Sequence, residues 1–124
     1  MAVTALIAGL MLAQAVAPAI TVEGEGERID VAYRELAEGR PGDAVAKLAD
    51  TPAVLQDDPA ALINLGTAYA RMGQTRQARD LYRSAIASRV RYDLQLSDGS
   101  WLDSRRAARL AGERLGTARL LVVR

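Results

Sequence analysis

Cysteine, histidine and phenylalanine are absent from all 124 residues. Without cysteine the chain has no disulfide, no thiolate nucleophile and no lipid-modified cysteine anchor. Losing histidine as well removes the usual zinc ligands and both the Ser/His/Asp and Cys/His catalytic arrangements. Charge of one sign is lacking too: 16 Lys and Arg against 15 Asp and Glu leave +1, which does not by itself mark a nucleic-acid binder. Catalysis could rest only on carboxylates, and the closest acidic pair, Asp57 and Asp58, is adjacent in front of a helical pattern, where such residues cap rather than form a separated acid/base pair. The expectation is therefore a noncatalytic chain without cofactor or metal. What is present, half apolar and a quarter charged residues, fits one small globular domain.

The near-zero net charge conceals an asymmetry. Residues 1–62 carry four basic and ten acidic groups, and residues 63–124 carry twelve basic and five acidic ones. Met1 to Val22 has no charged side chain; Leu6, Ile7, Leu10, Met11 and Leu12 form its apolar centre, and Ala13-Gln14-Ala15 and Ala17-Pro18-Ala19 both match an A-x-A cleavage pattern. Residues 1–19 thus read as a secretory signal, although no Lys or Arg precedes the apolar centre, and the expected location is periplasmic. The alternative is an inner-membrane anchor, since the stretch is long enough to span a bilayer, but Ala, Gly, Thr, Gln and Pro dilute its hydrophobicity. Residues 20–27, ending in Glu23-Gly24-Glu25-Gly26-Glu27, read as a solvated acidic linker, because carboxylates alternating with glycine lack the ligand spacing of a calcium loop.

Residues 28–92 hold a repeat. Laying 25–58 over 59–92 pairs Ile29 with Ile63, Val31 with Leu65, Ala32 with Gly66, Gly39 with Gly73, Ala44 with Ala78 and Leu48 with Tyr82 without a gap. In the second copy Leu62, Leu65, Gly66 and Tyr69 fall on one face of a helix, with Asp57 or Asp58 and then Pro59 at its start. Gly66 inside a helix costs about 1 kcal/mol relative to Ala, so its presence predicts close approach of a neighbouring helix, with Ala78 as the small counterpart. Gly73 is placed to end that helix in the left-handed conformation, and Thr75 to cap the next, which carries Ala78, Leu81, Tyr82, Ala85 and Ile86. The first copy follows the same plan with Ile29, Ala32, Tyr33 and Leu36, a turn at Gly39-Arg40-Pro41-Gly42 and a shorter helix over Asp43 to Ala49. It departs at Glu35, Thr51 and Pro52, where the second copy has Tyr69, Ala85 and Ile86.

The spacing Leu62-x-x-Leu65-Gly66-x-x-Tyr69 followed by Ala78-x-x-x-Tyr82 and Ala85 resembles the tetratricopeptide repeat (TPR), over about 68 of the 124 residues. The resemblance implies an all-α fold, a TPR-like α-α superhelix of two helix-turn-helix repeats plus a C-terminal helix. It also implies a protein-interaction adaptor or scaffold that binds a peptide or partner helix in the groove lined by the first helix of each repeat. Carried over position by position, the groove comprises Ile29, Asp30, Tyr33 and Ala37 from the first copy and Ile63, Asn64, Thr67 and Arg71 from the second. The bland alternative is that Ile29, Tyr33 and Ile63 are ordinary core or edge residues.

Beyond Tyr92 the period fails, and residues 93–124 read as a capping helix and tail. Asp98-Gly99 marks a turn, and Trp101 to Leu115 patterns as a helix with Ser104, Ala108, Ala111 and Leu115 along one side. For the apolar run Leu120 to Val123, packing back onto the domain and forming a strand both remain open. Arg89, Arg91, Arg105, Arg106, Arg109, Arg114, Arg119 and Arg124 give this end an arginine-rich surface. Its simplest reading is a solvated face. The competing one is a cytoplasmic protein that binds nucleic acid or anionic lipid there. Head-to-tail association of the oppositely charged halves into a homo-oligomer is a third expectation.

Overall fold

A computed structural model describes residues 29–124; the signal and linker expected over residues 1–27 lie outside it. The described chain is mostly helical, with one small two-stranded sheet. Its first helix, α1 (Tyr33–Ala37), is a little over one turn long. It opens after Ala32, whose left-handed backbone (φ 58) is secured by its N–H donating to Asp30 Oδ1 at 2.9 Å. Gly39 (φ 71) turns the chain, and Pro41, whose missing N–H costs nothing in a first turn, starts α2 (Pro41–Leu48). This helix begins two residues before the expected Asp43.

α2 ends at Leu48, four residues ahead of Pro52, where Thr51, held extended before the proline, donates from N and Oγ1 to the Leu48 carbonyl. Pro52 begins a new turn, α3 (Pro52–Leu55), where Thr51 Oγ1 accepts from Val54 N. Asp57, again left-handed (φ 57), leads into α4 (Pro59–Arg71). Asp58, not Asp57, caps that helix, accepting from Ala61 N at 3.1 Å. Gly73 (φ 77) reverses the chain into α5 (Thr75–Ala87). Thr75 is here the first helical residue and not the cap; the cap position is Gln74, which makes no side-chain bond.

Helix α4 is buried on all sides from Pro59 to Ala68, the signature of a central helix. It packs against α2, α5 and the C-terminal helix. Its closest approach is to α5 at Gly66: a β-carbon there would stand 2.7 Å from Tyr82 Cε1 and 3.2 Å from the Ala78 carbonyl oxygen. The sequence expectation that Gly66 marks a tight helix contact with Ala78 opposite is what the packing contains, and the Tyr82 ring closes against the same point.

The C-terminal third departs furthest from expectation. Trp101–Asp103 is a strand, β2, paired antiparallel to β1 (Asp93–Gln95) with Leu94 opposite Leu102. The expected turn at Asp98-Gly99 closes this hairpin, with Gly99 at φ 87. The last helix, α6, therefore spans only Ser104–Glu113; it is capped by Asp103, which accepts from Arg106 N at 3.2 Å. Ala107, Ala108 and Ala111 press it onto α5. The run Leu121 to Val123 returns to the core and is buried, with a single bridge between Val123 and Leu96. No helix among the described residues is long and apolar enough to cross a membrane.

Candidate interaction site

The site is built on one face of α4. Asn64 and Thr67, three residues apart, project from it side by side, and both are fully buried. A buried amide or hydroxyl must find partners, and here they are main-chain groups of the returning tail. Asn64 Nδ2 donates to the Val123 carbonyl at 2.7 Å, and Asn64 Oδ1 accepts from Val123 N at 2.8 Å, so the amide grips both polar groups of one residue. The second Nδ2 hydrogen reaches the Val31 carbonyl at 2.8 Å and ties in the segment that leads into α1. One turn on, Thr67 Oγ1 donates to the Leu121 carbonyl at 2.6 Å and lies 2.9 Å from the Tyr82 hydroxyl.

The tail thus runs antiparallel to α4, Leu121 beside Thr67 and Val123 beside Asn64. Its opposite side continues the sheet: Ser97 N donates to the Val122 carbonyl at 2.9 Å and Arg124 N to the Gln95 carbonyl at 2.8 Å. An extended segment is therefore held between a helix and a strand, recognised through its backbone on both sides. The Arg124 guanidinium sits 5.0 Å from the centre of the Tyr33 ring, within cation–π range.

The remaining expected groove residues are distributed around this contact. Ile63 is fully buried beside Asn64. Arg71 Nη1 donates to the Leu36 carbonyl at the end of α1, joining α4 to α1. Asp30 pairs with Lys47 at 2.7 Å, and Lys47 also pairs with Glu35 at 2.7 Å. The Lys47 ammonium holds the carboxyls of both Asp30 and Glu35 below the ordinary carboxylate range, and they in turn raise its own pKa. Ala37 is exposed, and Ile29 remains 49 % exposed at the rim. Asn64, Thr67 and Tyr33 thus meet the tail, whereas Asp30 binds Lys47 of α2 and Arg71 binds the end of α1.

Sequence reasoning missed the tail as the segment these residues hold. The apolar run Leu120 to Val123 was the available signal, and its partner could not be read from its composition. It missed as well the bond from the Tyr92 hydroxyl to Asp58 Oδ2, 2.9 Å long, which fastens the hairpin to the start of α4. Burial and the facing carboxylate push the Tyr92 phenol above its ordinary pKa.

Comparison with protein-family models, with curated proteins and with solved structures returns no match to this chain.

Proposed function

We propose that this chain is a noncatalytic protein-interaction module of the TPR type, exported to the cell envelope by residues 1–19, with α1–α2 and α4–α5 as its two repeats. Its α4 face holds an extended protein or peptide segment. The observation that supports this reading is the two-sided grip of Asn64 on Val123, extended by Thr67 on Leu121. Such a grip addresses peptide groups and tolerates different side chains, as strand-type peptide recognition does. In the described conformation the occupant is the chain's own segment from Leu121 to Val123, so an outside segment must compete with a tethered one. A short tether gives an effective concentration in the millimolar range, and the free site is correspondingly masked.

The test is fluorescence anisotropy with a labelled peptide of residues 119–124 added to the full chain and to its Val123→Asp variant, in which a charge unseats the resident segment. The reading expects weak binding to the unaltered chain and binding at least ~10-fold tighter to the variant. If the variant does not fold alone, recovery of its helical circular dichroism on adding the peptide is the readout. Absence of binding and of recovery at millimolar peptide overturns the reading.

A further inference from the structure

The tail occupies one edge of β1, and β2 occupies the other. The hydrogen-bonding phase is fixed by two bonds, Leu96 N to the Ser100 carbonyl at 2.8 Å and Ser104 N to the Tyr92 carbonyl at 2.9 Å. With Leu94 opposite Leu102, the even-numbered residues of the hairpin turn their peptide groups towards each other. Alternation then turns the N–H groups of Trp101 and Asp103 and the Trp101 carbonyl to the outer edge of β2. No strand among the described residues pairs with that edge.

The surface beside it is neither blunted nor neutral. Leu102 and Leu110, both half-buried, form the floor of a trough of about 350 Å³ whose wall carries Arg106 and Arg109, with Glu113 at the end of α6. The trough is continued past Trp101 by Arg114, Arg119 and Leu120, with Asp98 at the hairpin turn. Among the described residues none of Arg106, Arg109, Arg114 and Arg119 is in an ion pair. Four guanidinium groups therefore face two carboxylates. Trp101, the only tryptophan, stands 66 % exposed at the join. Edge strands left open are commonly protected by charge or by a covering element. Here the charge is of a single predominant sign and lies over an apolar floor, which favours an incoming segment of the opposite sign.

We propose that the outer edge of β2 is a second docking site, which takes an extended acidic peptide segment of a partner protein as an added strand. Its main chain bonds to Trp101 and Asp103, its carboxylates point to the α6 side and meet Arg106, Arg109 and Arg114 over Leu102 and Leu110, and its alternate apolar side chains turn to the other face, beside Trp101. The narrow apolar floor distinguishes this from a flat anionic surface, and strand pairing distinguishes it from charge attraction alone. The contacts at Trp101, Asp103, Arg106 and Arg109 use no residue of the α4 face or of the tail it holds, so failure of either reading leaves the other standing.

The experiment uses the full chain, labelled with nitrogen-15 for NMR, and an acetylated Glu-Val-Glu-Leu-Glu-Val amide, with Lys-Val-Lys-Leu-Lys-Val as its counterpart. Saturable binding of the acidic peptide, with shifts concentrated at the Trp101 and Asp103 amides and a change in Trp101 emission, is the expected result. Arg106→Glu with Arg109→Glu should weaken it by about 10-fold, a loss that shrinks as salt rises. Trp101→Pro removes an outward N–H that the β1 ladder does not use, and the extended conformation it imposes on itself and on Ser100 suits a strand, so it should bind at least ~5-fold more weakly than Trp101→Val. Equal binding of the lysine peptide, amide shifts lying elsewhere, or equal affinity of the proline and valine variants overturns the proposal. So does the absence of peptide binding, including the case in which single-stranded DNA or phosphatidylglycerol vesicles bind through the same arginines instead.

Discussion

Replacing Gly66 by alanine sets two effects against each other. Alanine is the better helix former by about 1 kcal/mol, and on propensity alone the variant would gain stability. The new β-carbon, however, would lie 2.7 Å from Tyr82 Cε1, 3.0 Å from Cδ1 and 3.2 Å from the Ala78 carbonyl oxygen. Carbon atoms pack at about 3.5–4.0 Å, so the ring must move by nearly 1 Å. Tyr82 is 1 % exposed, and its hydroxyl lies 2.9 Å from Thr67 Oγ1, so the ring cannot swing outwards without breaking that contact. Overpacking of this kind costs about 1–3 kcal/mol, and with two rigid neighbours the upper part of the range applies. The net expectation is a loss of about 1–2 kcal/mol, or a fall in Tm of roughly 5–10 °C for a domain of this size. Gly112, helical in α6 with nothing within 4 Å of its β-carbon position, is the internal control. Gly112→Ala should gain about 0.5 kcal/mol near the end of the helix. Urea unfolding of the two variants checks the signs, and a Gly66→Ala/Tyr82→Leu double-mutant cycle should recover part of the loss. A Gly66→Ala protein as stable as the unaltered chain would refute the tight α4–α5 contact.

Asn64→Ala should destabilise by about 3 kcal/mol in urea unfolding, because it strands the Val31 and Val123 carbonyls and Val123 N in the core; hydrogen exchange at the Val123 amide should accelerate in parallel. Tyr92→Phe removes the bond to Asp58 and should cost about 1.5 kcal/mol, read as a lower Tm with unchanged far-ultraviolet circular dichroism. Lys47→Met should change the pH dependence: Asp30 and Glu35 have depressed pKa values in the fold, so their contribution is complete above their ordinary values of 3.8 and 4.5 and is lost as pH falls through the lower folded ones. The Tm difference between the unaltered chain and Lys47→Met should accordingly be largest near neutral pH and shrink below pH ~4, and a difference that is constant with pH would contradict the pairing.

The helical hairpin α4–α5 was legible in the sequence because each of its signals is local. Asp58-Pro59 starts it, Gly73 turns it, and Gly66 opposite Ala78 declares a close contact that no isolated helix would need. The segment ahead of α4 was legible only in outline. Ala32 and Asp57 adopt left-handed backbones that nothing in an Ala or Asp predicts so strongly as a glycine would. Pro52 announced a stop to α2 but equally favours a first helical turn, and Thr51 in front of it settles the matter through a cap bond. At Trp101 the helical periodicity of the following residues was extended three positions too far, since one polar residue, Asp103, separates strand from helix and serves as the cap.

The interaction site was half visible for a different reason. Asn64 and Thr67 stand out as polar residues on an apolar face, and the resemblance to the tetratricopeptide repeat implies a groove there. What fills the groove depends on a segment 54 and 59 residues further along, at Leu121 and Val123, and such separations leave no periodic trace. Composition alone left Leu120 to Val123 divided between packing and strand pairing, whereas the geometry requires both at once. One side of the backbone is satisfied by α4 side chains and the other by β1, which is why a segment too short to pair stably as an isolated strand is buried. With the tail closing one edge of β1 and β2 the other, α6 is left to cover the hairpin, its alanines turned inward and Arg106 and Arg109 outward beside the edge that remains open.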